Sequence, residues 1–258
     1  MVYIEGTGKG ATADAEPSFI NMENIVQIDE KWFDMTKKRR TYYLLPEEQD
    51  PVRTVQNKNN IGKDTPAKNN SKNRLKGTIE LKSVIVTRNV MREYLCEKVI
   101  PAIQDQWPLD DVGTIFIQQD NARTHVLPTD ASFLQAVAES GLDIKLLQQP
   151  PNSPDMNVLD LCFFASIQSL TLFYAPNTLK ELIESIKHAY DGYEVNKLVK
   201  VFITLQSCMI EVMEIEGEFH YDIPHMGKEK LLKGKKLPTT LTVKGELYQK
   251  TLELIAGH

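Results

Sequence analysis

Sulfur chemistry is scarce in this chain. Its 258 residues include three cysteines, Cys96, Cys162 and Cys208, far apart and odd in number. No Cys-x-x-Cys pair occurs, so neither a disulfide framework nor a cysteine zinc site is indicated, and a reducing compartment fits best. His220, Asp222 and His225 match no usual zinc spacing. No apolar run approaches the ~20 residues of a membrane span. The first residues, Met1-Val2-Tyr3-Ile4-Glu5-Gly6, lack the charged head and apolar stretch of a secretory signal. Gly6-Thr7-Gly8-Lys9-Gly10 lacks the GxxxxGK(S/T) spacing of a phosphate loop and has no strand signal before it. There is no internal repeat. A net charge of −5 does not mark a polyanion binder.

What is present is a chain with enough apolar residues, 41%, for a sizeable core. Base is concentrated between Lys31 and Arg92, with Lys37-Lys38-Arg39-Arg40 followed by Arg53, Lys58, Lys63, Lys68, Lys72, Arg74 and Lys76. A phosphate-facing surface could be built there, and so could a solvated connector. Residues 1–22 read as a loose leader, 23–222 as one domain, and 223–258 as a basic tail. Ile25 to Phe33 reads as a strand, Thr41 to Leu45 as a short second one, and 46–76 as polar loop. A further strand fits within Gly77–Thr87. Asn89 is placed to cap a helix running to about Gln106, with Pro101 as a kink or break. Ile115–Gln119 is a buried strand, Asp130 caps a helix ending at Gly141, and Ile144–Leu147 is the next strand. That order predicts a crossover joining a parallel pair. Val158–Leu170 reads as a helix buried on most sides. Thr178 with Glu181 forms a capping box ahead of a helix whose apolar face is Leu179, Leu182, Ile183, Ile186 and Tyr190. Another helix spans about Val195 to Glu216, ending at Gly217, and the tail from Ile223 is ambiguous.

Three acids stand out. Asp29 lies in the apolar run Ile25-Val26-Gln27-Ile28, where an unpaired carboxylate is costly unless it is paired or bound to metal. An ion pair with Lys31 is its plain alternative. Asp120 ends the apolar strand Ile115-Phe116-Ile117-Gln118-Gln119 and precedes Asn121-Ala122-Arg123-Thr124-His125; an Asx turn is its alternative. Asp160 follows the proline-rich turn Pro150-Pro151-Asn152-Ser153-Pro154-Asp155. If Asn157 is the helix cap, Asp160 is the third helical residue, where an acid also favours the helix dipole. Asp155 competes with it. Between Asp120 and Asp160 lie 39 residues. Three acids, two in or ending strands and one opening a helix, are what a two-metal phosphoryl-transfer site needs, and oxygen ligands suit Mg²⁺. His125 is open to a structural or a phosphate-ordering role. Glu30 is expected on the opposite sheet face from Asp29 and outside the site.

Together these segments resemble the catalytic domain of the mariner-like transposases of the Tc1/mariner superfamily. Ile28-Asp29-Glu30-Lys31-Trp32-Phe33 is similar to the first acid motif, Gln119-Asp120-Asn121-Ala122 with His125 to the second, and Pro150-Pro151 through Ser153-Pro154-Asp155 to Asp160 to the third. The 39-residue spacing ending in Asp is similar to the plant subgroup. Tyr42-Tyr43-Leu44-Leu45-Pro46, Ser71-Lys72-Asn73-Arg74 and Ile223-Pro224-His225-Met226-Gly227-Lys228 add to the likeness. The resemblance implies an α/β, ribonuclease H-like mixed sheet flanked by helices. It implies Asp29, Asp120 and Asp160 as catalytic residues binding two Mg²⁺ or Mn²⁺ ions, and cleavage and strand transfer of DNA in the nucleus. DNA is the partner; a homodimer is left open and a membrane is not expected. Two departures are visible. Only 28 residues precede Asp29, too few for the family's helix-turn-helix units. Two strands expected beside the one bearing Asp29 are missing, so that a catalytically inactive remnant binding DNA or protein is the alternative.

Overall fold

The computed structural model describes residues 4–5, 16–20, 22–31, 33, 62–72, 74–83, 85–108, 113–218 and 220–257. Its elements, in order, are β1 (Ile4–Glu5), β2 (Ser18–Phe19), β3 (Ile25–Gln27), β4 (Gly62–Pro66), β5 (Ile79–Ser83), α1 (Arg88–Tyr94), α2 (Ile100–Gln106), β6 (Ile115–Gln119), α3 (Ala131–Ser140), β7 (Ile144–Gln148), α4 (Phe164–Phe173), α5 (Leu179–Asp191), α6 (Val195–Glu214), α7 (Lys228–Lys233) and α8 (Gly245–Ala256). The chain is therefore a mixed α/β protein. Its central sheet is small and wholly parallel, in the order β3-β6-β7.

β6 is the middle strand, and its alternation builds two cores. Ile115 and Ile117 face one side, where they join Leu95, Ile100, Ile103, Val126, Phe133, Ile144 and Leu146 beneath α1, α2 and α3. Phe116 packs on the other side with Phe19, Met22, Ile25, Val158, Val201, Leu205 and Val243, beneath α6. A strand covered on both faces reads as a continuous apolar run because neither face meets water. The expected crossover is present: α3 links β6 to β7, which pair in parallel from Ile115–Ile144 to Gln119–Gln148. Asp130 caps α3 by accepting from the Ser132 and Phe133 amides, and Gly141 ends it at φ 73°, a left-handed position that glycine reaches without a side-chain clash.

Several elements differ from the sequence expectation. The strand predicted over Ile25–Phe33 stops at Gln27, with one further ladder bond from Ile28 N to Gln118 O at 2.9 Å. Asp29 thus lies just past the strand end and not within it. Part of the polar loop expected over 46–76 is strand: β4 pairs antiparallel with β5 as a separate hairpin. The Gly-Lys-Asp-Thr-Pro sequence of β4 hid it, because it carries no apolar alternation. Ile79–Ser83, within the Thr78–Val86 run, therefore pairs with β4 and not with β3, while Thr41–Leu45 lies outside the described residues. Among the described residues β3 is an outer strand of the sheet.

Helix starts and breaks also shift. Thr87, not Asn89, caps α1, accepting from Val90 N at 3.4 Å. Pro101 breaks nothing. A π-helical turn, Leu95–Val99, precedes it, with Ile100 N reaching Leu95 O, so the missing proline amide falls in the first turn of a re-started helix. The helix predicted from Val158 to Leu170 opens instead with a π-helical turn, Leu159–Phe163. Its continuation α4 buries only Phe164, Ile167 and Thr171, while Phe173 is 85% exposed. In α5 the Thr178 cap is present, accepting from Glu181 N at 3.2 Å. Ala189 closes its buried face in place of the exposed Tyr190, whose ring instead meets Phe163.

Two segments far apart in sequence, 17–19 and 241–243, meet on the body. Phe19 N bonds Leu241 O at 3.0 Å and Val243 N bonds Pro17 O at 2.7 Å. Phe19, Met22 and Val243 are core residues, so the segment read as the end of a loose leader and the one read as a basic tail share one hydrophobic cluster. No helix among the described residues is long and apolar enough to cross a membrane.

Candidate active site at the carboxyl ends of the parallel strands

Parallel strands of an open α/β sheet leave their loops clustered at one edge, and ligands bind there. In this protein β3, β6 and β7 all end in polar residues at that edge: Gln27, then Asp29 and Glu30; Gln118 and Gln119, then Asp120; Gln148, then Gln149. The turn Pro150–Pro154 returns the chain across the strand ends. It includes Asn152 at φ 56°, a left-handed position that Asn tolerates better than most residues. A 3₁₀ turn, Pro154–Met156, then delivers Asn157, and the π-helical turn after it carries Asp160.

All three expected acids arrive in this place. Asp29 Oδ1 accepts from the amide of Glu30 at 2.7 Å and its Oδ2 from Asn157 Nδ2 at 3.2 Å. Its carboxyl is pushed up to about 7 by burial, opposed by the Glu30 amide and reinforced by the charge of Asp160, a hydrogen bond to Asp160 and the charge of Asp120. The carboxyls of Asp29 and Asp160 thus meet directly, and Asp120 lies within electrostatic reach. The ion pair with Lys31 is not what holds Asp29; the Lys31 ammonium lies 5.8 Å from the Phe164 ring centre. Asp120 and Asp160 line one open cleft of about 360 Å³, together with Asn121, Ala122, Gln149 and the proline turn.

Asp120 is held from behind. Its Oδ1 takes the Ala122 amide at 2.8 Å, the Asx turn considered from sequence, and lies 2.7 Å from His125 Nδ1. His125 is 3% exposed, and its Nε2 lies 3.1 Å from Glu30 Oε2. Burial works against the imidazolium, yet the bonds to Glu30 and Asp120 and their charges outweigh it, and the imidazole is raised to about 9. Glu30 is therefore part of the site. The alternation that set it on the opposite face applies within a strand, and the strand has ended by residue 27.

Uncharged amides hold the loops, and the sequence reading missed their role. Gln27 Oε1 accepts from Val158 N at 2.5 Å. Gln118 Nε2 donates to Met156 O at 2.8 Å and Gln119 Nε2 to Val126 O at 2.6 Å. Gln149 Nε2 donates to Ser153 O, and Asn121 Nδ2 to Gln149 O at 2.5 Å. The available signal was the glutamines at and just past the strand ends, of which Gln118, Gln119 and Gln149 are buried, where a buried amide must find backbone partners.

The donor set is chemically suited to a hard divalent cation: three carboxylates from three elements, two of them in contact at the cost of a raised proton affinity. The set is not pre-assembled. Among the described residues no three His, Cys, Asp or Glu side chains stand ready to hold a metal ion. His125 engages Asp120, and a hydrogen bond occupies the gap between Asp29 and Asp160. No protein-family model and no curated protein matches this chain.

Proposed function

We propose that this chain is a transposase-like catalytic domain of ribonuclease H-like type, related to the mariner-like transposases, acting on DNA by metal-dependent cleavage and strand transfer in the nucleus. One observation carries the reading. The Asp29 carboxyl meets that of Asp160 and feels that of Asp120, at the edge of a parallel sheet where the sequence motifs set these three acids.

Asp29, Asp120 and Asp160 would hold two Mg²⁺ or Mn²⁺ ions. When bound, such ions supply Lewis acidity to the attacking and leaving oxygens of a phosphodiester. The protein's own part is positioning. The Glu30 amide and Asn157 aim Asp29, the Ala122 amide and His125 aim Asp120, and the amide-anchored turn sets Asp160. The cleft beside Asp120 and Asp160 gives a phosphate group room. Supercoiled plasmid incubated with the purified protein and Mn²⁺ or Mg²⁺ tests this. Nicking or linearisation is expected, and Asp120→Asn abolishes it; cleavage that survives Asp120→Asn rejects the site.

A second reading, a non-catalytic remnant that binds DNA or protein, is favoured by the unassembled metal set and by β3 as an outer strand among the described residues. Calorimetry with Mn²⁺ separates the two. Binding that Asp29→Ala removes supports the enzyme, whereas no heat, or heat indifferent to that change, supports the remnant.

A further inference from the structure

Three side-chain bonds fasten the segment 156–158 to the sheet, and they are not alike. Two of them, Gln27 to Val158 N and Gln118 to Met156 O, end on backbone. The third, from Asn157 Nδ2, ends on the carboxylate of Asp29, 128 residues away in sequence. Asn157 is completely buried. Its remaining groups are all committed locally. Oδ1 accepts from Leu159 N at 3.0 Å, its carbonyl accepts from Leu161 N at 2.9 Å, and its amide donates to Pro154 O at 3.3 Å.

This pattern dictates which way the side-chain amide points. The Leu159 N–H demands an acceptor, and the Asp29 carboxylate demands a donor, so oxygen faces the helix and nitrogen faces Asp29. One residue thereby caps the helical turn that carries Asp160, three positions on, and also grips Asp29. A plain cap would be served by Ser, Thr or Asp as well. Of the common capping residues, Asn supplies at this reach an acceptor for the helix together with an uncharged donor for a carboxylate.

We propose that Asn157 is a positioning residue that sets the approach of Asp29 to Asp160, and hence the affinity of the site for a divalent cation. The inference rests on the metal-site reading above. It makes the helix start and the first acid one mechanical unit. A donor without charge orients the carboxylate and leaves its negative charge for the metal. Partners that orient a metal ligand in this way typically change affinity 10–100-fold when removed.

The test is Mn²⁺ calorimetry on the full chain with three variants. Asn157→Ser keeps a capping oxygen but cannot reach Asp29. Asn157→Asp keeps cap and reach but has no donor. Thr178→Ala uncaps α5, which bears none of the acids, and serves as the stability control. Both Asn157 variants are expected to bind Mn²⁺ at least ~10-fold more weakly. Thr178→Ala is expected to bind as the unmodified protein does while losing thermal stability. Unchanged affinity in Asn157→Ser, or a loss of affinity in Thr178→Ala that matches it, overturns the inference and leaves the metal site standing. Unmodified protein that takes up no Mn²⁺ overturns the metal site and this inference together.

Discussion

His125 Nδ1 lies 2.7 Å from Asp120 Oδ1, while the other ring nitrogen reaches Glu30 at 3.1 Å. A nearly inaccessible imidazole thus joins two carboxylates from neighbouring strand ends. Its elevation to about 9 means that folding favours the imidazolium. The folded-state value lies above the unfolded value of 6.5, so this contribution is fully present below pH 6.5 and is lost as pH rises through about 9. Urea unfolding midpoints are expected to fall across that window. In His125→Gln the His-linked part of the fall disappears, and the protein is less stable at neutral pH by about 1–3 kcal/mol. An equally steep decline in the variant would show that another group is responsible.

Asp29 makes the opposite kind of prediction, in which loss of a site residue stabilises the fold. Its value of about 7 lies above the ordinary 3.8, so the folded state disfavours the ionised carboxyl. The stability tied to its proton is full below pH 3.8 and is lost as pH rises through about 7. Asp29→Asn mimics the protonated acid. Above pH 7 it is expected to raise the melting temperature, by on the order of 1 kcal/mol of stability. Mn²⁺ should raise the melting temperature of the unmodified protein and leave that of Asp29→Asn unmoved. A melting temperature lowered by the substitution would contradict the crowding of the three acids.

Asp130 offers a measurement away from the site. It caps α3 and takes Arg92 Nε and Nη2 at 2.7–3.1 Å. The Arg92 guanidinium and the α3 amides outweigh burial and hold its carboxyl below the usual range. Its contribution is present above the ordinary carboxylate value and lost as pH falls through the depressed one. Asp130→Ala is expected to cost about 1–2 kcal/mol, read as a lower thermal midpoint, with metal uptake unchanged.

Core and surface substitutions should separate sharply. Ile117 is fully buried at the middle of β6, the strand that delivers Asp120. Ile117→Ala is expected to cost about 2–5 kcal/mol. Phe173, 85% exposed at the end of α4, is the contrast: Phe173→Ser should stay within about 0.5 kcal/mol. Chemical denaturation of both variants checks the pair.

Local rules worked where a local signal decides the outcome. Periodicity and caps revealed β6, α3, β7 and α5, because an apolar strand must be covered and a helix end must be capped wherever the chain goes. They failed where distant chain decides. Strand β3 stops at Gln27, paired with Gln118, while β6 continues to Gln119, and β4, Gly-Lys-Asp-Thr-Pro, has no apolar alternation to reveal it. Tyr190 falls on the apolar face of α5 by helical periodicity yet is exposed, its ring against Phe163, because periodicity carries no information on what stands opposite a helix.

The three acids were legible as residues of interest from their settings alone: a carboxylate next to an apolar run, another at a strand end, a third in the first turn of a helix. The sequence by itself determined that these groups exist at those spacings and that β6 and β7, joined by α3, run parallel. Tertiary structure alone decided that Asp29 touches Asp160, that His125 binds Asp120 to Glu30, and that Asn157 grips Asp29. The reason is physical. Caps and apolar periods act between neighbours in sequence, whereas the charge felt by a carboxylate depends on separations in space, set only once both cores have packed around the sheet.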